Sequence, residues 1–284
     1  MEMKNRQLHP ELVEQILRKL DFADPPPLNI NGLTDVYRAW CNRVPFDNIR
    51  KRIHLRASNP LPLPGFDDVE FFQGWLRCGV GGLCWAGNAA LHALLDALGF
   101  SCSLGTATML TDSNQPPNHG TVFVRLEEKQ FLVDASMLHD TPLLLVPNQV
   151  STIAHPAWGL SCSPHQKLWN IRWRPLHMVN GCDCRLEKIS VSRDTFRTFN
   201  EITRSQSPFN DSLYARINRD EGVLGITGSA SVNFTVTGET HIRILSPEKR
   251  LQYLIEKIGI KDEIAAQIPP DRCDTGTIYR EGLK

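Results

Sequence analysis

The sequence predicts an α+β protein, and three observations carry that reading. The first hundred or so residues hold helical patterns, the next hundred break into short β-branched or aromatic runs, and the remainder returns to strands before one well-marked helix. ELVEQILRKL reads as a first helix, which Asp24-Pro25-Pro26-Pro27 must end. LTDVYRAWCNR reads as a second. The proline-rich NPLPLPGF, Asn59 to Phe66, reads as loop, after which VEFFQGWLRC and the segment that starts at Cys84 are helical again. In the Cys84 helix, Ala90, Leu91, Leu94, Leu95 and Leu98 recur at helical spacing, and Gly99 is placed to cap its end. From about 101 to 200 the runs TVFVRL, QFLVDAS, TPLLLV, KLWNIRWRP and CRLEKISV have strand composition and imply a small sheet or barrel. GVLGITG, ASVNFTVTG and THIRIL add further strands. SPEKRLQYLIEKIG is a helix starting at Ser246, and the tail after about Ile268 is expected to be loosely ordered.

With 284 residues the chain can build a sizeable core. Lysine plus arginine equals aspartate plus glutamate at 31 each, so no basic excess selects nucleic acid or an anionic membrane surface. No apolar run reaches the roughly 18 residues of a membrane helix, and MEMKNRQLHPELVEQ lacks the apolar core of a signal peptide. The expected compartment is cytoplasmic. Eight cysteines in such a chain are expected to be mostly free thiols. Cys182-Asp183-Cys184 with His177 upstream has no second CxxC or HxxxH partner, which favours a structural role over a metal site. Gly222 to Gly228 reads as turns between strands, not a phosphate cradle.

Chemistry enters at VGGLCWAGNAALHALLDALGF, Val80 to Phe100. A thiol at the first turn of a helix sits in the partial positive charge of the N-terminus, which favours the thiolate. A cysteine in an alanine- and leucine-rich helix is by itself most often a small buried hydrophobe. A nucleophile needs a base and a group that orients the base. His119 precedes TVFVRL, and Asp134 closes KQFLVD across Glu127-Glu128, so the two runs read as a hairpin. With Glu127 and Glu128 as the loop, Leu126 pairs with Lys129 and Thr121 with Asp134, leaving His119 one diagonal away on the same face. Glu-Glu is poor chemistry for a two-residue turn, and a slip of one residue would put the two side chains on opposite faces.

Together these residues resemble the arylamine N-acetyltransferases, a family that uses a Cys-His-Asp triad. Val44-Pro45-Phe46-Asp47-Asn48-Ile49 is similar to its Pro-Phe-Glu-Asn segment and Gly81-Gly82-Leu83-Cys84 to its Gly-Gly-x-Cys, with Asn88 matching an asparagine four residues later. His119 and Asp134 follow in the family's order. Ser207-Pro208-Phe209 and Leu251 through Ile260 resemble later landmarks less specifically. The resemblance implies a helical domain (1–100) carrying the nucleophile, a β-barrel domain (101–200) carrying the histidine and aspartate, and an α/β lid (201–284).

The chain also departs from the family. Val80 stands where arginine is usual, Ala86 where glutamate is usual two residues after the cysteine, and Asp47 where the longer glutamate is common. Ala135-Ser136-Met137-Leu138 replaces a Val-Gly-Phe-Gly segment, Leu104-Gly105-Thr106-Ala107 stands where an arginine-valine pair is typical, and the N-terminal tyrosine-x-x-arginine signature is not evident.

The activity implied by the resemblance is acyl transfer from a thioester, acetyl-CoA or another acyl-CoA, through an acyl-cysteine on Cys84 to an amine. No tightly bound cofactor or metal is implied. The partners are a small-molecule donor and acceptor, with an acyl carrier protein as another source of the acyl group. Two alternatives use the same residues: a thioesterase or amide hydrolase, and a catalytically inactive binding relative.

Overall fold

The computed structural model describes residues 8–58, 60–111, 116–178 and 180–275. Residues 1–7, 59, 112–115, 179 and 276–284, the last of these within the tail expected to be loosely ordered, lie outside them. The chain opens with helices α1 (Pro10–Lys19) and α2 (Ile30–Arg43), a two-residue strand β1 (Phe46–Asp47), and helices α3 (Ile49–Arg56), α4 (Asp68–Cys78) and α5 (Cys84–Ala97). Asn29 caps α2, which begins at Ile30, three residues ahead of Leu33, and its side chain accepts from the N–H groups of Asn31 and Gly32. α1 ends at Lys19, well before the prolines, and Asp21 turns the chain with φ of +75°. Gly99, at φ +95°, supplies the left-handed residue just past α5. Trp40, Phe71, Phe72 and Trp75 of α2 and α4 pack around one another, burying the apolar faces of the helices.

Eight strands follow: β2 (Ser101–Met109), β3 (His119–Leu126), β4 (Lys129–Val133), β5 (Leu143–Leu145), β6 (Ser151–Ile153), β7 (Leu160–His165), β8 (Leu168–Trp173) and β9 (Cys182–Lys188). They form one antiparallel sheet in the order β5-β4-β3-β2-β9-β8-β7-β6, and its two outer strands come into contact, so the sheet is a nearly closed barrel. α5 lies against β2 and β3. Cys162, Cys182 and Cys184 are buried in the barrel's apolar cluster, the packing role expected of the CxC pair.

Helix α6 (Arg193–Ile202) leads into a second sheet of β10 (Tyr214–Arg219), β11 (Gly222–Thr227), β12 (Ala230–Thr235) and β13 (Thr240–Ile244). β1 completes it, pairing Phe46 with Arg216 and Asp47 with Ala215. The Pro-Phe segment of the helical region is thereby stitched into the C-terminal sheet. α7 (Pro247–Tyr253), a π-helical turn (Leu254–Ile258) and α8 (Asp262–Ala265) close the described chain. Residues after Ile268 are not loose as far as they are described. The carbonyls of Pro269 and Pro270 accept from Arg52, Asp271 pairs with Arg52 and Arg250, and Asp274 accepts from Ser229. Among the described residues no helix is long and apolar enough to cross a membrane.

Candidate functional site

Cys84 is the first residue of α5, and Leu83 before it offers no side-chain cap. The first N–H groups of the helix therefore have no intrahelical acceptor and no cap. The loop that delivers Cys84 is held tightly. Asp47 accepts from the N–H groups of Gly81 (2.6 Å) and Ile49 (2.9 Å), and Arg50 donates to the Gly81 carbonyl (3.0 Å) while pairing with Glu70. A Cβ on Gly81 would stand 1.8 Å from the Pro45 carbonyl oxygen, so only glycine fits. Burial pushes the Asp47 carboxyl up to about 6, against the two N–H donors and Arg50, which pull it down. Val80, where the resemblance expects arginine, is simply buried in apolar core.

The hairpin has the register read from the sequence. Leu126 faces Lys129 and Val122 faces Val133. Glu127 and Glu128 both adopt left-handed conformations, φ +46° and +63°, the combination a two-residue primed turn needs. His119 and Asp134 therefore meet: Nε2 of His119 lies 2.7 Å from Oδ2 of Asp134, and both side chains are buried. Nδ1 is the ring nitrogen left on the side of Cys84, whose side chain is near enough to add to the imidazole's basicity.

Burial alone would lower the basicity of His119. The Asp134 charge and hydrogen bond, with a smaller contribution from Cys84, overcome it and raise the pKa to about 10. Burial likewise opposes ionisation of Asp134, but His119 and the N–H groups of Met137 and Ser136 bring its pKa down to about 2. Those two N–H groups donate to Oδ1 at 3.0 and 2.8 Å. Ala135-Ser136-Met137 thus cradles the carboxylate with backbone donors although its side chains differ from the family's.

Two buried side chains that sequence reasoning gave no role tie the three residues together. Asn88, one turn after Cys84, donates to the Gly120 carbonyl (2.6 Å) and accepts from the Ala135 N–H (2.9 Å). It joins the cysteine's helix to the residues beside His119 and Asp134. The Tyr37 hydroxyl donates to the Asp134 carbonyl (2.9 Å) and accepts from the N–H groups of Asp134 (3.1 Å) and His139 (3.2 Å). Asn88→Ala would orphan a buried carbonyl and a buried N–H, and is expected to cost about 2–4 kcal/mol in urea denaturation. A loss under about 0.5 kcal/mol would mean that Asn88 does not brace the site.

Cys84 and His119 open onto a cavity of about 670 Å³ walled mainly by apolar and aromatic side chains. Phe46, Phe209, Tyr214 and His177 make edge-to-face contacts along it. Burial pushes His177 down to about 4, so this histidine is neutral at pH 7. α6 supplies another wall: Phe199 stacks on Trp85, the neighbour of Cys84. Lys51 pins the end of α6 by donating to the carbonyl and hydroxyl of Thr203 at 2.8 and 2.9 Å. α6 was missed in the sequence, although Ser192, which caps it through the Thr195 N–H, was a legible start signal.

Among solved structures, the chain is similar to the arylamine N-acetyltransferase of Mycobacterium abscessus, with 18% identity and a TM-score of 0.73 over 90% of this chain and 93% of that one. The Salmonella typhimurium arylamine N-acetyltransferase matches with 15% identity and a TM-score of 0.75, over 92% and 98%. A Bacillus cereus arylamine N-acetyltransferase described as having a unique Cys-His-Glu catalytic triad matches with 16% identity and a TM-score of 0.70, over 89% and 100%. No curated protein matches the chain. A family model described as N-acetyltransferase matches residues 29–266, which include every residue of the site described above. The chain therefore belongs to the arylamine N-acetyltransferase family, and it is an enzyme.

Proposed function

We propose that the enzyme moves an acyl group from a coenzyme A-type thioester through an acyl-cysteine on Cys84 to an amine acceptor, with His119 as acid and base and Asp134 as its orienting partner. The observation that carries this reading is Cys84 at the wall of a large apolar cavity, beside a buried imidazole whose far nitrogen is bound by a carboxylate. The solved Bacillus cereus relative is described by a Cys-His-Glu triad, and we read Asp134 as the acidic member here.

In the first half-reaction the proton of Cys84 passes to the imidazole of His119, whose basicity is raised by Asp134. The Cys84 sulfur attacks the thioester carbonyl, and the backbone N–H at the start of α5 is placed to stabilise the oxyanion. Collapse breaks the bond to the donor's sulfur, which takes the His119 proton as it leaves. In the second half-reaction a neutral amine attacks the acyl-cysteine, His119 accepts the amine's proton, and the Cys84 sulfur departs. Buried apolar walls around the acyl-cysteine restrict water, which favours aminolysis over hydrolysis.

Incubation with acetyl-CoA and no acceptor is expected to add one acetyl mass to the intact chain. An arylamine should then discharge it with formation of the amide. Discharge at the same rate without amine would identify a hydrolase, and no mass change with acetyl-, malonyl- or longer acyl-CoA would sink the acyl-transfer reading.

A further inference from the structure

Lys51 carries a buried charge that neither half-reaction uses. Its ammonium reaches from α3 to the end of α6, where it donates to the Thr203 carbonyl and hydroxyl at 2.8 and 2.9 Å. Both acceptors are neutral. Among the described residues no carboxylate stands within ion-pairing distance of Lys51: Glu201 is held by Arg204 at 3.0 Å, and Glu70 by Arg50 at 3.0 Å. A buried ammonium without a counter-charge is costly to a fold.

The surroundings add to that cost. Thr203 borders the cavity onto which Cys84 opens. On the other side, Lys51 shares a pocket of about 20 Å³ with Arg50, Gly82, Leu83 and Ala86, and Leu83 borders both spaces. Ala86, at the position where the family usually carries glutamate, offers no charge there. The ammonium therefore lies against the start of α5, the positive end of that helix, where a cation is disfavoured. Burial pushes it down to about 8; negative charge on Cys84 pulls it back up, Arg204 lowers it and Glu201 raises it.

We propose that Lys51 is the counter-charge of the Cys84 sulfur, a positioning residue that stabilises the sulfur's negative charge as it attacks the thioester and again as the amine expels it. Around the sulfur stand His119 from β3 with Asp134 behind it, the Cys184 thiol from β9, and Lys51 from α3. Around the ammonium stand Cys84, Arg204 and Glu201. Burial holds the Cys184 thiol well above the ordinary range, so it stays neutral, and Arg204 and Glu201 pair with each other. Among these groups Lys51 is the one that changes charge just above neutral pH.

This role rests on reading Cys84 as the acyl acceptor, but alkylation by iodoacetamide reports on the sulfur without any acyl group. Lys51→Gln keeps a donor for Thr203 and removes the charge, Lys51→Met removes both, and Lys51→Arg keeps the charge. At pH 7, Cys84 in wild type should alkylate roughly tenfold faster than in Lys51→Gln, and kcat/KM for acetyl-CoA should differ by a similar factor, with Lys51→Arg recovering part of each. The folded pKa of Lys51 is lowered, so its charge is present below about 8 and lost above it. The gap between wild type and Lys51→Gln should therefore narrow as pH rises through about 8.

A glutamine variant as fast as wild type at pH 7, with Lys51→Met slow, would assign Lys51 to tethering α6 and overturn the proposal. So would a gap of constant size from pH 7 to 9.5. Alkylation that depends on the Lys51 charge, without acylation of Cys84 by any thioester, would uphold the counter-charge and overturn the acyl-transfer reading instead.

Discussion

Cys84→Ser is expected to lose acyl transfer by at least about 10⁴-fold in kcat/KM, with no acyl mass retained on the protein. The substitution changes the reacting atom and little else. The side chain is nearly the same size, and the thiol's contact with the Asn118 carbonyl, 3.9 Å from Sγ, contributes little to the fold. A serine hydroxyl is far more reluctant than a thiol to surrender its proton to His119, so the pair that should attack the thioester is not formed. The seven other cysteines serve as internal controls for alkylation by iodoacetamide, and most are buried. The partly exposed Cys84 should be the dominant fast site in wild type, and that phase should vanish in the variant. Retention of more than a tenth of the transfer rate would remove Cys84 from the mechanism.

Asp134→Asn should be nearly as damaging, by about 10³–10⁴-fold, for a different reason. The amide keeps the shape and can still accept from Ser136 and Met137 through Oδ1, but it then turns an NH₂ group toward His119 Nε2. That favours the tautomer with its proton on Nδ1, the nitrogen facing Cys84, so the imidazole cannot serve as base. Without the carboxylate, burial is the main influence on His119 and drives its pKa below the ordinary 6.5 instead of up to about 10. The same pair shapes stability. His119 has a raised folded pKa, so its contribution is complete below about 6.5 and is lost as pH rises through about 10. Asp134 has a lowered one, so its contribution is complete above about 3.8 and is lost as pH falls through about 2. Urea denaturation should therefore show the largest gap between wild type and Asp134→Asn at pH 4–6.5, narrowing toward pH 10. A gap independent of pH would show that the two residues do not form an ion pair.

Local patterns in the chain were enough for the α+β class, for the order of cysteine, histidine and aspartate, and for the hairpin register that brings His119 to Asp134. Each of these depends on neighbours within about 20 residues: a glycine pair before a helix, alternation along two runs, and a two-residue loop. Even so, the turn formed with Glu127 and Glu128, whose local preference is poor, because the pairing of β3 with β4 and the burial of Val122, Val124, Phe131 and Val133 outweigh two unfavourable backbone conformations.

Helix α3 shows what local pattern could not reveal. IRKRIHLR is dense in positive charge and has no apolar stripe, so nothing marks Lys51 and Arg52 as interior residues. Both are buried because acceptors arrive from far along the chain: the Thr203 carbonyl and hydroxyl for Lys51, and the Pro269 and Pro270 carbonyls with Asp271 for Arg52. The bracing of the site by Asn88 and Tyr37 was decided in the same way. By itself the sequence determined which groups could react and which short segments would present them. Only the tertiary structure decided their basicity, their bracing and the shape of the space in front of them, because those properties depend on partners that lie from 15 to 152 residues away along the chain and on the loss of water that comes with burial.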